Sequence, residues 1–278
     1  MSADITTGSL ATARSRVWRP KRETVMSVAR PIIVVGALLV LWQIAASAGW
    51  INAFLFPPPS AIGEALWRET MDGSLMLHIL RSLYRLLVGL ALAIVIGTLV
   101  GIAIGMTRWG RAIFKPIISA LMPVPTLAWT PVLLLAVGIN DRTTILVVFI
   151  AASFEVIYNV VSGIESMNVR VFWVARSMGA SRIQIFWKII IPGTLAYLIT
   201  GIRLGTGYAW RALIAAEMLA SSSYGLGFMI FDASEYMTMT VIYGGIAVIA
   251  VLGYVIENIL LGQLEANTIQ KWGVSVAR

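Results

Sequence analysis

The chain contains no cysteine and only one histidine, His78, among its 278 residues. Without cysteine it can form no disulfide framework, thiolate metal site or cysteine nucleophile, and one histidine cannot build a histidine metal cluster within one chain. Charge is also scarce, since charged residues make up 12% of the chain, hydrophobic residues make up 59%, and the mean hydropathy is +0.86. A soluble globular domain carries about twice that share of charge, so the sequence indicates an integral membrane protein.

The apolar sequence falls into six segments, each long enough to cross a bilayer as a helix. They cover residues 31–50, 79–106, 115–139, 143–164, 189–220 and 237–262. The links between them leave no room for a second soluble domain. We therefore expect an all-α polytopic membrane protein, with a basic segment at 1–30, one six-helix domain at 31–262 and a tail at 263–278.

The basic residues indicate the orientation, because lysine and arginine concentrate in cytoplasmic segments. With both termini in the cytoplasm, 15 of the 21 basic residues fall on that side and four fall outside. Two of the outer four, Arg81 and Arg85, start the second span, where we expect them to snorkel to the interface. The net charge of +8 thus reflects orientation, and no nucleic acid partner is expected.

The first apolar stretch has a second interpretation as a signal peptide. It ends in Ala46, Ser47 and Ala48, which form an A-x-A pattern typical of cleavage sites. The long leader and the span-length apolar stretch favour an uncleaved anchor.

Two spans carry distinctive backbone patterns. Small residues recur every four positions in the second span, at Gly89, Ala93, Gly97, Gly101 and Gly105. This spacing lets a neighbouring helix approach closely. The third span contains Pro123, Pro125 and Pro131, each expected to remove a backbone hydrogen bond and to break the helix at membrane depth. Such a break indicates either a simple kink or a segment that lines a pathway.

The fifth span places Arg203, Trp210 and Glu217 seven residues apart, on nearly one face. Charged residues in a membrane usually face the bundle interior and pair with other groups. The fourth span offers Glu155, and we expect either that it pairs with Arg203 or Arg211, which a purely structural ion pair would also explain, or that these groups flank the solute path. The candidate pathway residues are Met122, Pro123, Pro125, Trp129, Glu155, Asn159, Arg203, Trp210, Arg211 and Glu217.

The loop at 165–188 predicts a helix, a turn and a second helix. Asn168 can cap a short helix from Val169 to Met178, Gly179 can supply a left-handed position, and Ser181 with Gln184 forms a capping-box pattern. Large apolar residues, Phe172, Trp173 and Met178, lie beside Arg176 and predict an exposed mixed surface. Either a membrane-surface helix or a docking helix for a soluble partner explains it.

At this loop the sequence resembles the permease subunit of binding-protein-dependent ABC importers. Their signature reads Glu-Ala-Ala, three residues, Gly, nine residues, Ile, one residue, Leu-Pro, and Ala175, Gly179, Ile189 and Pro192 match it. Trp173, Val174 and Ile191 depart from it. The resemblance runs from about residue 31 to 272 and is closest to the nitrate/sulfonate/taurine branch, through PVPTLAWTPVLLLAVGI (123–139), TGIRLGTGYAWRALIAAEML (200–219) and SSSYGLGFMI (221–230).

The resemblance implies a type I ABC importer (MetI-like) fold in a bacterial inner membrane. It further implies a second copy of the chain, two cytoplasmic ABC ATPase subunits and a periplasmic substrate-binding protein. ATP and Mg would bind to the ATPase, since this chain has no GxxxxGK[ST] loop, and no catalytic residue, metal or cofactor is expected on it. The implied ATPase-coupling residues are Val169, Phe172, Trp173, Ala175, Arg176, Met178, Gly179, Ala180, Ser181 and Pro192. Arg203 and Arg211 would suit an anion such as a sulfonate or nitrate.

Three other functions compete with this one. An ion-coupled secondary transporter would be supported by an inverted repeat, which the sequence does not display. A membrane enzyme would have to use His78, Glu155 and Glu217, which lie on different spans and at different depths. A scaffold without transport activity would leave the broken third span without a reason.

Overall fold

The computed structural model describes residues 22–221 and 223–263, and within these ranges the chain is helical apart from its turns and contains no strand. The helices are α1 (Arg22–Ser47), α2 (Pro59–Met71), α3 (Ser74–Gly105), α4 (Arg108–Leu121), α5 (Thr130–Val137), α6 (Asp141–Ser166), α7 (Val169–Ser177), α8 (Arg182–Ile185), α9 (Ile191–Ala220), α10 (Leu226–Glu235) and α11 (Met239–Tyr254). Most of the predicted basic leader and tail lies outside the described residues.

The predicted count of six spans is met only in part. Four helical runs in the described ranges are long and apolar enough to cross a membrane: Ser74–Gly105, Asp141–Ser166, Arg182–Ala220 and Met239–Gln263. A fifth results if Arg108–Leu121 and Thr126–Val137, which are bent by 95°, form one broken span. The first predicted span lies in α1, whose apolar part, Ile33–Ser47, is shorter than the other spans.

The third span is broken as the prolines predict, although not by all three of them. α4 ends at Leu121, and Pro123 and Pro125 lie in the break before a 3₁₀ turn at Thr126–Trp129. Pro131 instead lies in the first turn of α5. A missing N–H removes no helical hydrogen bond at that position, so this proline starts a helix and the expectation that it removes a backbone hydrogen bond is wrong.

The core is built around α6, which packs between α3 and α9. The predicted small-residue stripe of α3 faces α6, and all five of its residues are buried. A Cβ added at Gly101 would lie 2.8 Å from the Cβ of Val160, and one added at Gly205 of α9 would lie 3.1 Å from the Ala152 carbonyl oxygen. Glycines on α3 and on α9 let their backbones approach α6, so α6 is closely packed between these two helices.

Candidate functional site

The loop between α6 and α9 forms the predicted helix, turn and helix. The Asn168 side chain caps α7 by accepting a hydrogen bond from the Arg170 backbone N–H at 2.9 Å. Gly179 adopts φ of +82°. The Gly179 N–H donates to the Arg176 carbonyl at 2.9 Å and the Ala180 N–H to the Ala175 carbonyl at 3.0 Å, which is the Schellman pattern. The turn is therefore fixed by its own backbone.

The second half of the turn is fixed by a capping box. The Gln184 backbone N–H donates to Ser181 Oγ at 3.2 Å, and the Ser181 N–H donates to Gln184 Oε1 at 2.8 Å. From there the helix runs through a π-helical segment at Phe186–Ile190 into α9, giving one continuous run of 39 residues, Arg182–Ala220. The turn is thus continuous, through helical backbone, with a candidate membrane span.

The two faces of α7 have different environments. Phe172, Ala175 and Ala180 pack against a cluster that contains Ile164 and Ile185. Phe172 was expected on the exposed surface and is half-buried, because its side of α7 rests on the membrane helices.

On the opposite face of α7, large apolar side chains are exposed. Trp173 is 64% exposed and Met178 is 82% exposed. Val174, which stands where the signature has its first Ala, was not among the implied coupling residues but is also exposed. The other predicted loop residues at the surface are Val169, Arg176, Gly179, Ser181 and Pro192.

The candidate residues at the break of the third span divide between surface and interior. Pro123 and Pro125 are exposed, and Trp129 is half-buried. Met122 packs against a cluster that contains Ile118. The break therefore presents its two prolines to the outside of this chain.

The residues expected to form one polar face of α9 do not share one environment. Arg203 and Arg211 are exposed, whereas Trp210 and Glu217 are buried. The reason is that neighbouring elements cover only part of the helix. Gly253 of α11 lies against the Trp210 ring, and Gly227 of α10 lies against Glu217.

Glu155 does not form the expected ion pair with Arg203 or Arg211 within the described residues, and the alternative, that these groups flank the solute path, stays a prediction. Glu155 is buried on α6, and the Asn159 amide donates to its backbone carbonyl at 2.9 Å. The side of α9 that meets α6 contains Gly201 and Gly205. At 100° per residue, Arg203 points about 180° and Arg211 about 100° away from that side, so neither faces Glu155.

Arg211 pairs instead with an acid that the sequence analysis missed. Its Nη2 atom lies 3.4 Å from Oε1 of Glu257, which a π-helical segment at Val255–Leu260 presents. Glu257 is the one charged residue between 237 and 262, and a lone charge in an apolar span is the signal that could have identified it. Grooves of about 210 and 380 Å³ run along this edge, and both are lined by Arg211 and Glu257.

A buried ionic cluster lies at the other end of α9. Arg85 was expected at the membrane interface but is fully buried. Its Nη1 atom donates to Glu217 Oε1 at 2.7 Å, while Nε and Nη2 donate to Asp141 Oδ1 at 3.0 and 2.7 Å. Two carboxylates from different helices compensate the guanidinium, which allows it to stay inside.

The same cluster holds the loop before α10. Ser82 Oγ donates to Glu217 at 2.8 Å and accepts from the Leu226 N–H at 2.8 Å, and the Gly227 N–H donates to Glu217 Oε2 at 3.0 Å. His78 Nδ1 lies 3.0 Å from the Gly225 nitrogen. Thus His78 and Glu217, expected at different depths, meet at one loop, while Glu155 stays apart. Their polar atoms hold backbone and side chains in place, an arrangement suited to fixing structure.

Comparison with known proteins identifies relatives over most of the chain. Residues 93–268 match the family described as a binding-protein-dependent transport system inner membrane component. The taurine transport system permease protein TauC of Escherichia coli is 35% identical over 245 residues, covering 86% of this chain and 87% of that protein. The nitrate import permease protein NrtB of Synechocystis sp. is 31% identical over 255 residues, covering 88% and 89%.

The fold has a counterpart among solved structures. An inward-facing structure of the MetNI methionine ABC transporter superimposes with a TM-score of 0.60 and 19% identity, covering 73% of this chain and 98% of that one. At this identity the likeness concerns the fold alone.

Proposed function

The chain belongs to the family of binding-protein-dependent transport system inner membrane components, and we propose that it works as a homodimer with two cytoplasmic ATPases and a periplasmic binding protein. The chain is the permease subunit of an ABC importer, and in the proposed assembly ATP and Mg bind to the ATPases. The observation that carries the assembly is the fixed turn at Gly179, which joins an exposed apolar face to a 39-residue helical run.

The outward face of α7 is the proposed ATPase contact. Trp173, Val174 and Met178 expose large apolar surfaces side by side at a helix end, and exposed apolar patches mark interaction sites. Trp173 stands where the family signature has Glu. We infer that burial of this indole in a groove of the ATPase replaces the salt bridge that an acidic residue would make.

The helical run transmits the movement. A 39-residue helix is about 58 Å long, enough to connect an ATPase surface with the far side of a bilayer. When ATP closes the ATPase pair, α7 and α8 move with it and carry the start of α9. The pathway then opens alternately to the two sides of the membrane. The density of basic residues near the turn supports a cytoplasmic location for it.

The exposed edge of α9 is the proposed pathway. A charge in the bilayer centre costs about 3 kcal/mol on insertion scales, which disfavours contact of Arg203 and Arg211 with lipid tails. A second copy facing this edge would enclose the arginines around an aqueous route. Pro123 and Pro125 are proposed to line the same route, whereas the buried Glu155, Trp210 and Glu217 support its walls.

The proposed solute is a small oxyanion-bearing molecule. The relatives named for taurine and nitrate handle a sulfonate and an inorganic oxyanion, respectively. Arginine recognises such planar or tetrahedral oxygen groups through paired N–H donors. Arg211 is the better placed of the two, because it lines both grooves, whereas Arg203 lines only the smaller one.

The ATPase contact is tested by changing Trp173 to Ser, with Trp109→Ser as control. Trp109 is also strongly exposed but lies on α4, outside the α7 face. Loss of a buried aromatic anchor should weaken ATPase co-purification by at least about tenfold, and the control should not. The companion measurement is ATP hydrolysis stimulated by loaded binding protein in liposomes. Equal ATPase retention by both variants would remove α7 as the contact.

The solute class is tested by uptake into the same liposomes. Taurine, an alkanesulfonate and nitrate are offered with the cognate binding protein, and methionine, whose only anionic group is an amino-acid carboxylate, serves as the control. We expect ATP-dependent accumulation of at least one sulfonate or of nitrate and none of methionine. Accumulation of methionine alone would contradict the proposed class.

A further inference from the structure

A cavity of about 720 Å³ lies between the turn and the membrane helices, separate from the outward face of α7. The ends of α3 and α6 form one wall, and α7 with the start of the long helical run forms the other. Its charged lining residues are Arg111, Glu165, Arg176 and Arg182. Its apolar lining includes Met106, Ile164, Met167, Phe172, Ile185 and Ile190.

The charges in this cavity do not balance. Glu165 is engaged by Arg111, at 3.6 Å, and by Lys115, and Arg111 also donates to the Gly105 carbonyl. Neither Arg176 nor Arg182 has a side-chain hydrogen bond or ion pair with any residue in the ranges 22–221 and 223–263. Two guanidinium groups on opposite sides of the Gly179 turn therefore line one cavity, and no carboxylate in the described part of the chain pairs with either of them.

The lining combines arginines with apolar side chains, and this composition indicates an amphipathic ligand. A free inorganic anion would be served by the arginines alone and would gain nothing from the methionine, isoleucine and phenylalanine surfaces. The cavity also lies where the membrane spans end: α3 stops at Gly105, α6 stops at Ser166, and Trp187 is exposed 63% on the helix that starts at Arg182. Tryptophan at a helix end is typical of the level of lipid headgroups.

From these observations we propose that the cavity binds the phosphate-bearing headgroup of an anionic phospholipid, held by Arg176 and Arg182. Basic pockets between membrane helices on the cytoplasmic side suit such headgroups. The assignment to the inner leaflet rests on the proposed function, which places the turn in the cytoplasm. The headgroup bridges the two sides of the turn while its acyl chains run along the apolar wall, so the lipid braces the turn against the membrane helices.

The test is lipid retention by the purified full-length chain without its ATPase, measured by native mass spectrometry after exchange into mixed phosphatidylglycerol and phosphatidylcholine. A charge-assisted hydrogen bond to a bound phosphate contributes about tenfold or more to affinity, so loss of both arginines in R176Q/R182Q should reduce the preference for phosphatidylglycerol by at least about 25-fold. The matched control is R170Q/K188Q, which removes the same charge from exposed positions outside the cavity. It should keep most of the preference.

Two results would overturn the proposal. Retention of phosphatidylglycerol by R176Q/R182Q at the level of the control would remove the site. Displacement of the lipid by excess inorganic phosphate, with phosphate alone raising the melting temperature of the wild type but not of R176Q/R182Q, would identify a free oxyanion as the ligand. Because no ATPase is present, these outcomes are independent of whether α7 couples to one.

Discussion

The ionic cluster around Arg85 allows a quantitative prediction about stability. Changing Arg85 to Leu removes the guanidinium from between Glu217 and Asp141, which lie on different helices. Asp141 is partly exposed, with 35% of its side chain accessible, whereas Glu217 is fully buried. The damage therefore concentrates on Glu217, whose charge loses its counterion in the interior.

The loss of stability in each variant depends on which buried charges keep a partner of opposite charge. Removing one partner of a buried ion pair costs about 3–5 kcal/mol, so we expect Arg85→Leu to fall in this range. Glu217→Gln should cost clearly less, because Arg85 keeps two hydrogen bonds to Asp141 Oδ1. In Arg85→Leu/Glu217→Gln no buried charge is left, and the glutamine oxygen can still accept from the Gly227 N–H. The double variant should recover about 2 kcal/mol or more of the loss caused by Arg85→Leu.

The assay is the melting temperature of the detergent-purified chain. For a protein of this size each kcal/mol corresponds to about 2–4 °C, so Arg85→Leu should melt about 10 °C lower than the wild type. Arg142→Leu is the control, because this arginine is a neighbour of Asp141 but is exposed. The reasoning fails if the melting temperature of the double variant falls by the sum of the two decreases seen in the single variants. Arg85 and Glu217 would then not act as a pair.

Two further predictions concern helix packing and the groove. Gly101→Leu should destabilise the chain by about 1–3 kcal/mol, because the new side chain would overlap Val160. Gly63→Leu is the control and should not destabilise it, because the space around Gly63 is open. The stability of both variants is measured by thermal melting and by the monodisperse fraction in gel filtration. In liposome uptake, Arg211→Gln should lower transport of an anionic solute about tenfold, while Glu257→Gln should change it less than about fivefold, since an exposed ion pair contributes about 1 kcal/mol or less. Equal effects would contradict a solute contact at Arg211.

The turn could be predicted from sequence because every interaction that forms it is local. Asn168, Gly179 and Ser181 act on backbone groups within five residues of themselves, so residue type and spacing contain the whole signal. The stripe on α3 was predictable for a similar reason, since it depends on one helix period. Its partner on α6 was not, because valines such as Val148 and Val160 occur throughout the apolar sequence.

The ion pairs could not be predicted, because they join residues far apart in the chain. Arg85 and Glu217 are 132 residues apart, and Arg211 and Glu257 are 46 apart. Their pairing depends on how each helix is rotated against its neighbours, which close-packed glycine contacts decide. Glu155 was assigned to the wrong partners for this reason: its chemistry suited an arginine, but Gly201 and Gly205 turn the arginines of α9 away from α6.

The two ends of the long helical run are held by different contacts, and this difference determines which end can move. At its far end, Glu217 is tied through Arg85, Ser82 and Gly227 to α3 and to the loop before α10, so that end cannot move without breaking buried charge contacts. At its near end, the Gly179 turn rests on the membrane helices mainly through apolar contacts, which tolerate sliding better than ionic ones do. A force applied at α7 should therefore pivot the run about its Glu217 end, and the largest displacement along it should occur at its Arg182 end, next to the turn. Arg203, which lies between the two ends, would then move more than Arg211, which lies closer to the pivot.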